Sequence, residues 1–284
     1  MWHPSGVLYF TGHGHISQRS ASGAVSVYRE GAGANGLLVD HEGRLTVCEA
    51  RARRMTRTEA DGTVSVLADQ FGGMRFNSPN DLTIDSKGRV YFSDPRYGPR
   101  EGMEMLDDSD RVVEGVYRID PDGTVARVIS HEADRPNGLL VSPADKHLYV
   151  ADNNNSEGGA RKLWRFSLKA DGTVDASQRT LVFDWADGRG PDGLEMDQEG
   201  RLFVAAGRNR PRPPHESADR FKGGVYVLSG DGELLGFLPI PTDEVTNCAF
   251  GGSDWRTLFV TAGGELWSIR TSAPGWVPYP RDDK

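Results

Sequence analysis

Five polar residues each open a copy of a repeated apolar pattern, and their side chains could bind a hard cation. They are Asn35, Asn80, Asn137, Asp192 and Asn247. Amide and carboxylate oxygens are the ligands that Ca²⁺ and other hard divalent cations prefer. If the copies are related by rotational symmetry, these side chains point together at one axis. The pattern therefore predicts an oxygen-lined metal site in a narrow central channel.

A simpler interpretation is that Asn and Asp open these segments because their side chains cap turns. Capping explains one or two such positions readily, but it explains all five poorly. It also does not account for the proline that precedes three of them, at Pro79, Pro136 and Pro191. We therefore favour the metal interpretation.

Each polar residue is followed by two short apolar alternations with a Gly-containing turn between them. After Asn80, the first alternation contains Leu82 and Ile84, and the second contains Val90 and Phe92. This pattern predicts two antiparallel strands joined by a tight turn. The five copies start 45, 57, 55 and 55 residues apart, and a sixth, shortened copy lies at residues 2–10.

Two outer strands follow the inner pair in several copies, and Asp-Gly turns at 61–62, 122–123, 171–172 and 231–232 join or flank them. Asp-Gly between alternating runs is a strong hairpin signal, and repeats of this length with β patterning are typical of propeller blades. The predicted fold is all-β, a six-bladed β-propeller with four-stranded antiparallel blades, in one domain spanning residues 1–284. The tail at 276–280 is a candidate for helping to close the ring. Insertions at 99–113, 153–160 and 208–221 each leave a second inner strand, so they should share the face on which function concentrates.

Composition excludes several classes of function. The net charge of −8 comes without a long basic run, which argues against nucleic acid as a partner. No stretch approaches 18 consecutive apolar residues, so we expect no membrane span, and the cytoplasm is the predicted location. The two cysteines, Cys48 and Cys248, are far apart and are expected to be buried free thiols. The chain has no Gly-x-Ser-x-Gly elbow, so serine hydrolase chemistry has no support.

Longer motifs give the chain a resemblance to a known family, the gluconolactonase branch of the senescence-marker-protein-30, gluconolactonase and luciferin-regenerating-enzyme family. The matching segments lie at 54–62, 76–82, 91–98, 135–139 and 190–194. The pairing of Ser-Pro-Asn-Asp with Asp-Pro-Arg-Tyr-Gly is the most specific of them. The resemblance implies a six-bladed propeller with one divalent metal ion at its axis and the hydrolysis of a small-molecule lactone.

The resemblance also implies roles for particular residues. Asn80, Asn137 and Asp192 correspond to metal ligands, with Ca²⁺ the expected ion and Zn²⁺, Mg²⁺ and Mn²⁺ left open. Asp192 would ligate the ion and orient or deprotonate the attacking water, and Asn80 would contact the metal or a sugar hydroxyl. Independently of the resemblance, Arg96 and Tyr97 are candidates for binding substrate oxygens, because they lie in the loop that leaves the third copy. An ordinary surface loop explains Arg96 and Tyr97 equally well.

One family ligand has no counterpart in this sequence. The glutamate of the first blade would stand three residues before Met1, so we expect the first blade to lack its N-terminal strand. With one carboxylate fewer, such a site should bind a divalent ion more weakly. We do not expect Glu49, at the end of the second inner hairpin, to replace it.

Two alternatives to a sugar lactonase stay open. A propeller can serve as a binding platform with little or no catalysis, because fold does not fix function. The same chemistry could also act on aromatic lactones or phosphotriesters, since the loops at the channel mouth select the substrate. The sequence carries no trace of the oligomeric state.

Overall fold

The computed structural model describes residues 1–278, so Tyr279 and Pro280 of the predicted closing tail lie outside the described residues. The chain forms two compact units. The first contains Met1–His131 together with Val277 and Pro278, and the second contains Glu132–Trp276. The extent of a single domain over residues 1–284 stays a prediction.

The first unit contains three antiparallel sheets of consecutive strands and one small hairpin. The first sheet consists of β1 (Leu8–Gly12), β2 (His15–Arg19) and β3 (Val25–Arg29). The second consists of β4 (Leu37–Val39), β5 (Leu45–Glu49), β6 (Arg54–Thr58) and β7 (Val64–Ala68). The hairpin is β8 (Gln70–Phe71) with β9 (Met74–Arg75), and the third sheet consists of β10 (Leu82–Ile84), β11 (Val90–Asp94), β12 (Gly115–Ile119) and β13 (Val125–Ile129).

The second unit contains three more sheets of the same kind. The fourth consists of β14 (Pro136–Val141), β15 (His147–Asn153), β16 (Arg161–Leu168) and β17 (Val174–Asp184), with a 3₁₀ turn at Pro143–Asp145. The fifth consists of β18 (Leu194–Met196), β19 (Leu202–Ala206), β20 (Gly224–Leu228) and β21 (Leu234–Pro239). The sixth consists of β22 (Val245–Gly251), β23 (Thr257–Ala262) and β24 (Glu265–Arg270).

These sheets are the blades of a six-bladed β-propeller, which confirms the predicted fold. Each sheet is an up-and-down meander, and four of the six have four strands, while the first and sixth have three within residues 1–278. Before the first sheet, Trp2 forms an antiparallel bridge with Leu8, and the amide N–H of Tyr9 donates to the Met1 carbonyl at 2.9 Å. The shortened sixth copy therefore pairs as an inner hairpin over only a few residues.

The period-2 pattern also predicts the register. In the third blade Leu82 pairs with Phe92 and Ile84 with Val90, and all four side chains are buried. Edge-to-face contacts of Phe76 with Phe92 and Tyr117 extend this core, because aromatic rings prefer such geometry. Cys48 and Cys248 are buried free thiols, as predicted.

The three insertions leave the blades where the sequence places them, between the second and third strands of the third, fourth and fifth blades. Over residues 1–278, no helix is long and apolar enough to cross a membrane.

Candidate active site

Glycine follows several of the polar residues because a neighbouring strand passes directly beside it. In the second unit, the Gly138 N–H donates to the Asp192 carbonyl at 3.1 Å, and the Gly193 N–H donates to the Thr246 carbonyl at 2.8 Å. A Cβ atom on Gly138 would lie 2.1 Å from the Asp192 carbonyl oxygen. The first strands of the fourth, fifth and sixth blades are therefore in backbone contact at the polar positions.

This contact places three of the predicted residues, Asn137, Asp192 and Asn247, on neighbouring strands. Asn137 is 4% exposed, and the Asp192 carboxylate is 16% exposed. The amide oxygen of Asn247 accepts the N–H of Cys248 at 2.8 Å, and this amide packs against Gly193. Asn137 and Asp192 thus open adjacent strands, whereas Asn247 caps its own backbone, as the simpler interpretation predicts.

Asn80 is buried in the first unit, with only 9% of its surface exposed. Its N–H donates to the Ser93 carbonyl at 2.9 Å, and its carbonyl accepts the Gly36 N–H at 2.7 Å. Its side-chain amide makes no hydrogen bond to any residue that the structure describes. Its predicted role as a metal ligand beside Asn137 and Asp192 stays a prediction. Asn35 is exposed.

An aspartate at the end of the second inner strand holds the segment before the polar residue in two blades. Asp94 accepts the N–H groups of Asn77 and Ser78, each at 2.7 Å. Asp152 accepts the corresponding pair, the N–H groups of Asp134 and Arg135, at 2.9 and 2.8 Å. The donors lie three and two residues before Asn80 and Asn137 in both blades. Sequence analysis missed this clamp, although Asp94 and Asp152 stand at the same place in the repeat.

The fifth blade has Ala206 at the position of that aspartate, so another residue must hold the segment before Asp192. The Asn155 side-chain oxygen accepts the N–H of Gly190 at 2.8 Å, two residues before Asp192. Asn155 belongs to the insertion at 153–160 of the neighbouring fourth blade. The insertion therefore helps to position the predicted catalytic carboxylate.

The Asp94 clamp predicts a pH-dependent stability. Burial raises the pKa of the Asp94 carboxyl to about 7, against the opposing effect of its backbone donors. Between its unfolded value near 3.8 and about 7, the folded state holds a proton that the unfolded state releases. The stability contributed by Asp94 is therefore full below about pH 4 and is lost as the pH rises to 7. Over this window, urea unfolding should show the wild type losing roughly 4 kcal/mol that D94N does not lose. Parallel pH profiles of the two proteins would contradict the raised pKa.

Arg189 lies close to three carboxylates, one of which belongs to Asp192. Its guanidinium lies 3.6 Å from the Asp192 carboxylate, 3.1 Å from Glu216 and 3.0 Å from Glu244. Burial works to lower the pKa of Arg189, but the carboxylates outweigh this effect and raise the pKa further above its usual value. Arg208 also pairs with Glu216 and Glu244. Sequence analysis did not single out this cluster.

The hydrogen bonds of Arg96 stabilise the loop that contains it. Its Nε donates to the Pro99 carbonyl at 2.8 Å, and a terminal nitrogen donates to the Asn77 carbonyl at 3.2 Å. Its backbone N–H donates to the Glu114 carboxylate at 2.7 Å. Tyr97 is 39% exposed. Substrate binding by Arg96 and Tyr97 stays a prediction.

Glu49 belongs to a buried ion-pair cluster, and its exclusion as a metal ligand stays a prediction. Its carboxylate is buried between Arg29, at 2.8 Å, and Arg54, at 2.6 Å. The Thr56 hydroxyl donates a third contact at 3.0 Å. Two arginine cations already pair with this carboxylate, which agrees with that prediction.

The donor set fits a hard divalent ion held by oxygen atoms. Within residues 1–278, no group of three or more His, Cys, Asp or Glu side chains could hold a metal ion. The neighbouring positions Asn137 and Asp192 carry one amide and one carboxylate, and Asn80 would add a second amide. Such a low charge suits weak rather than tight binding.

The fold and these positions place the protein among the six-bladed β-propellers, with Asn or Asp at the start of its blades. Comparison with known proteins identifies the family. A family model described as "SMP-30/Gluconolactonase/LRE-like region" matches residues 1–264. The chain belongs to this family.

Two enzymes with curated names resemble the chain. The gluconolactonase of Zymomonas mobilis is 34% identical over 253 residues, covering 86% of this chain and 64% of that protein. The 6-deoxy-6-sulfogluconolactonase of Pseudomonas putida is 30% identical over 202 residues, covering 70% of this chain and 58% of that protein. The chain thus spans less than two thirds of the length of either relative.

A solved structure resembles the chain over more of its length. The gluconolactonase of Xanthomonas campestris is 31% identical, with a TM-score of 0.76, and the match covers 96% of this chain and 84% of that one.

Proposed function

We propose that this protein hydrolyses the ester of a sugar lactone, as a gluconolactonase-like enzyme. The observation that carries the proposal is that Asn137 and Asp192 open adjacent strands, which are joined there by the Gly138 N–H donating to the Asp192 carbonyl at 3.1 Å. Relatives named as gluconolactonases support the substrate class. The substrate is a small molecule, and a cytoplasmic location stays a prediction.

The residues of the chain have distinct roles in this proposal. Asp192 orients the attacking water and takes up its proton, which is the work of a general base. The Asn137 amide lies beside it, and Asn80 contacts the ion or a hydroxyl group of the sugar. Arg96 and Tyr97 are proposed to contact substrate oxygens. The product is the ring-opened hydroxy acid, whose ionisation releases one proton.

We propose Asn80, Asn137 and Asp192 as ligands of one divalent metal ion, with Ca²⁺ expected and Zn²⁺, Mg²⁺ or Mn²⁺ as the other candidates. Such an ion would polarise the lactone carbonyl and stabilise the oxyanion that develops on it. The support is the oxygen chemistry of the three side chains and the burial of Asn80 and Asn137. Asn80 belongs to the other compact unit, so its place among the ligands rests on the sequence.

Metal removal tests this proposal. Proton release from glucono-δ-lactone should exceed the uncatalysed rate, fall to that rate after EDTA and return when Ca²⁺ is added back. The control is EDTA already saturated with Ca²⁺, which should leave the rate unchanged. Full activity in EDTA would contradict metal dependence while supporting the lactonase.

A binding platform with little catalysis is the alternative that the structure favours next. The observation behind it is the ion pair of Asp192 with Arg189, at 3.6 Å, which offsets the only carboxylate among the predicted ligands. A wild-type protein that binds lactone in calorimetry but does not hydrolyse it would favour this alternative. Aromatic lactones and phosphotriesters are the other substrates to include in the same assay.

A further inference from the structure

Arg189 connects three separate parts of the second unit. Asp192 precedes β18, Glu216 belongs to the insertion at 208–221, and Glu244 directly precedes β22. The side chain of Arg189 is 11% exposed, and that of Glu216 is 4% exposed. A buried cation with carboxylates on several sides is held by all of them, because burial weakens the competition from water.

The three contacts differ in kind. Arg189 donates a hydrogen bond to Glu216 at 3.1 Å and forms an ion pair with Glu244 at 3.0 Å. Its distance of 3.6 Å to the Asp192 carboxylate is too long for a hydrogen bond, so this contact acts through charge. The two glutamates therefore fix the guanidinium, and the guanidinium in turn acts on Asp192.

Glu216 is itself held in place by the anchoring of its insertion. Arg161 donates to the His215 carbonyl at 2.8 Å and to the Ser156 carbonyl at 3.0 Å. The Ser217 N–H donates to the Asp187 carbonyl at 2.8 Å. These bonds are made by the residues on either side of Glu216, so they fix the position from which its carboxylate contacts Arg189.

In the fifth blade, Asn155 holds the backbone at Gly190, whereas Arg189 is close to the Asp192 side chain itself. Arg189 lies three residues before Asp192, the position at which Asp94 and Asp152 clamp the backbone in the third and fourth blades. Ala206 replaces that clamp in the fifth blade.

We propose that Arg189 is the positioning residue of Asp192, and that the insertion at 208–221 supports it through Glu216. This inference rests on the proposed function, in which Asp192 is the base. Without Arg189, Glu216 and Glu244 would still pair with Arg208, but Asp192 would lose the attraction of the Arg189 cation. Asp192 would then leave the position in which it orients water, and small displacements of a catalytic group lower the rate strongly.

The test compares R189Q and R189K in lactone hydrolysis. We expect R189Q to lower kcat by about 10-fold to 100-fold, the usual effect of losing a partner of a functional ligand, with a smaller change in KM. Lysine keeps the charge but has no planar fork, so R189K should recover only part of kcat. An R189Q variant with wild-type kcat would overturn the positioning role.

Arg201 provides a matched control in the same blade. It pairs with Asp197 at 2.6 Å and Glu199 at 3.1 Å in the turn after β18, at the other end of the inner hairpin from Asp192. R201Q should lower the urea midpoint while leaving kcat unchanged. An equal loss of kcat in R201Q and R189Q would show that Arg189 acts only through the stability of the blade and does not position Asp192.

A coupling measurement separates this inference from the proposed function. Residues in contact show non-additive effects, whereas distant residues add. The drop in urea midpoint caused by R189Q should therefore be smaller in a D192N background than in the wild type. Equal drops would overturn the Arg189–Asp192 link whether or not the protein hydrolyses lactones. A wild type without lactonase activity would refute the proposed function, and the coupling would still decide the role of Arg189.

Discussion

Replacing Asp192 with asparagine is expected to abolish most lactone hydrolysis while the protein stays folded. The amide has nearly the shape of the carboxylate but cannot take up a proton at neutral pH, so kcat should fall by about 10²-fold to 10⁴-fold. Arg189 keeps its contacts with Glu216 and Glu244 at 3.1 and 3.0 Å, so its charge is not left unpaired. The measurement is kcat for glucono-δ-lactone together with the melting temperature.

Asp219 supplies the matched control for this experiment. It lies in the insertion of the same blade and is exposed, so D219N removes the same charge without touching the site. We expect D219N to keep the wild-type kcat and melting temperature. Unchanged hydrolysis in D192N would remove Asp192 from the mechanism, and calorimetry with Ca²⁺ would show whether it still acts as a ligand.

Replacing Gly138 with alanine is expected to damage both stability and activity. The new Cβ would lie 2.1 Å from the Asp192 carbonyl oxygen and 2.8 Å from Leu194 Cδ2. Both neighbours belong to a packed strand start, so the inner strands must move apart and lose the Gly138–Asp192 hydrogen bond. We expect a loss of about 1–3 kcal/mol in the free energy of unfolding and a fall in kcat, because Asn137 and Asp192 flank this contact.

The control for this substitution is Gly12, at the end of β1. A Cβ on Gly12 would have nothing within 4 Å, so G12A should change the free energy of unfolding by no more than about 0.5 kcal/mol. Urea unfolding and kcat should be measured for both variants. A G138A protein as stable and active as G12A would show that the fourth and fifth blades do not need their close approach.

The sequence alone determined the blades and their inner register. A strand places alternate side chains on opposite faces, so the run from Leu82 to Phe92 allows one buried register, and the structure shows Leu82 opposite Phe92. The glycines after Asn137 and Asp192 are also local signals, and each lies where the next strand passes. These features follow from short-range pattern, which is why they could be predicted.

The tertiary structure decided which groups surround Asp192. Arg189 and Glu244 are 55 residues apart and occupy the same place in consecutive copies, three residues before Asp192 and Asn247, but the repeat does not show that their side chains meet. Glu216, 27 residues from Arg189, belongs to an insertion that the repeat does not contain. The clamps at Asp94 and Asp152 likewise join segments 16–18 residues apart. Ion pairs and clamps of this kind depend on where loops of different blades meet, and hydrophobic alternation carries no information about that. The sequence therefore predicts the strands that carry Asp192, whereas the charges that hold it can be seen only in the folded chain.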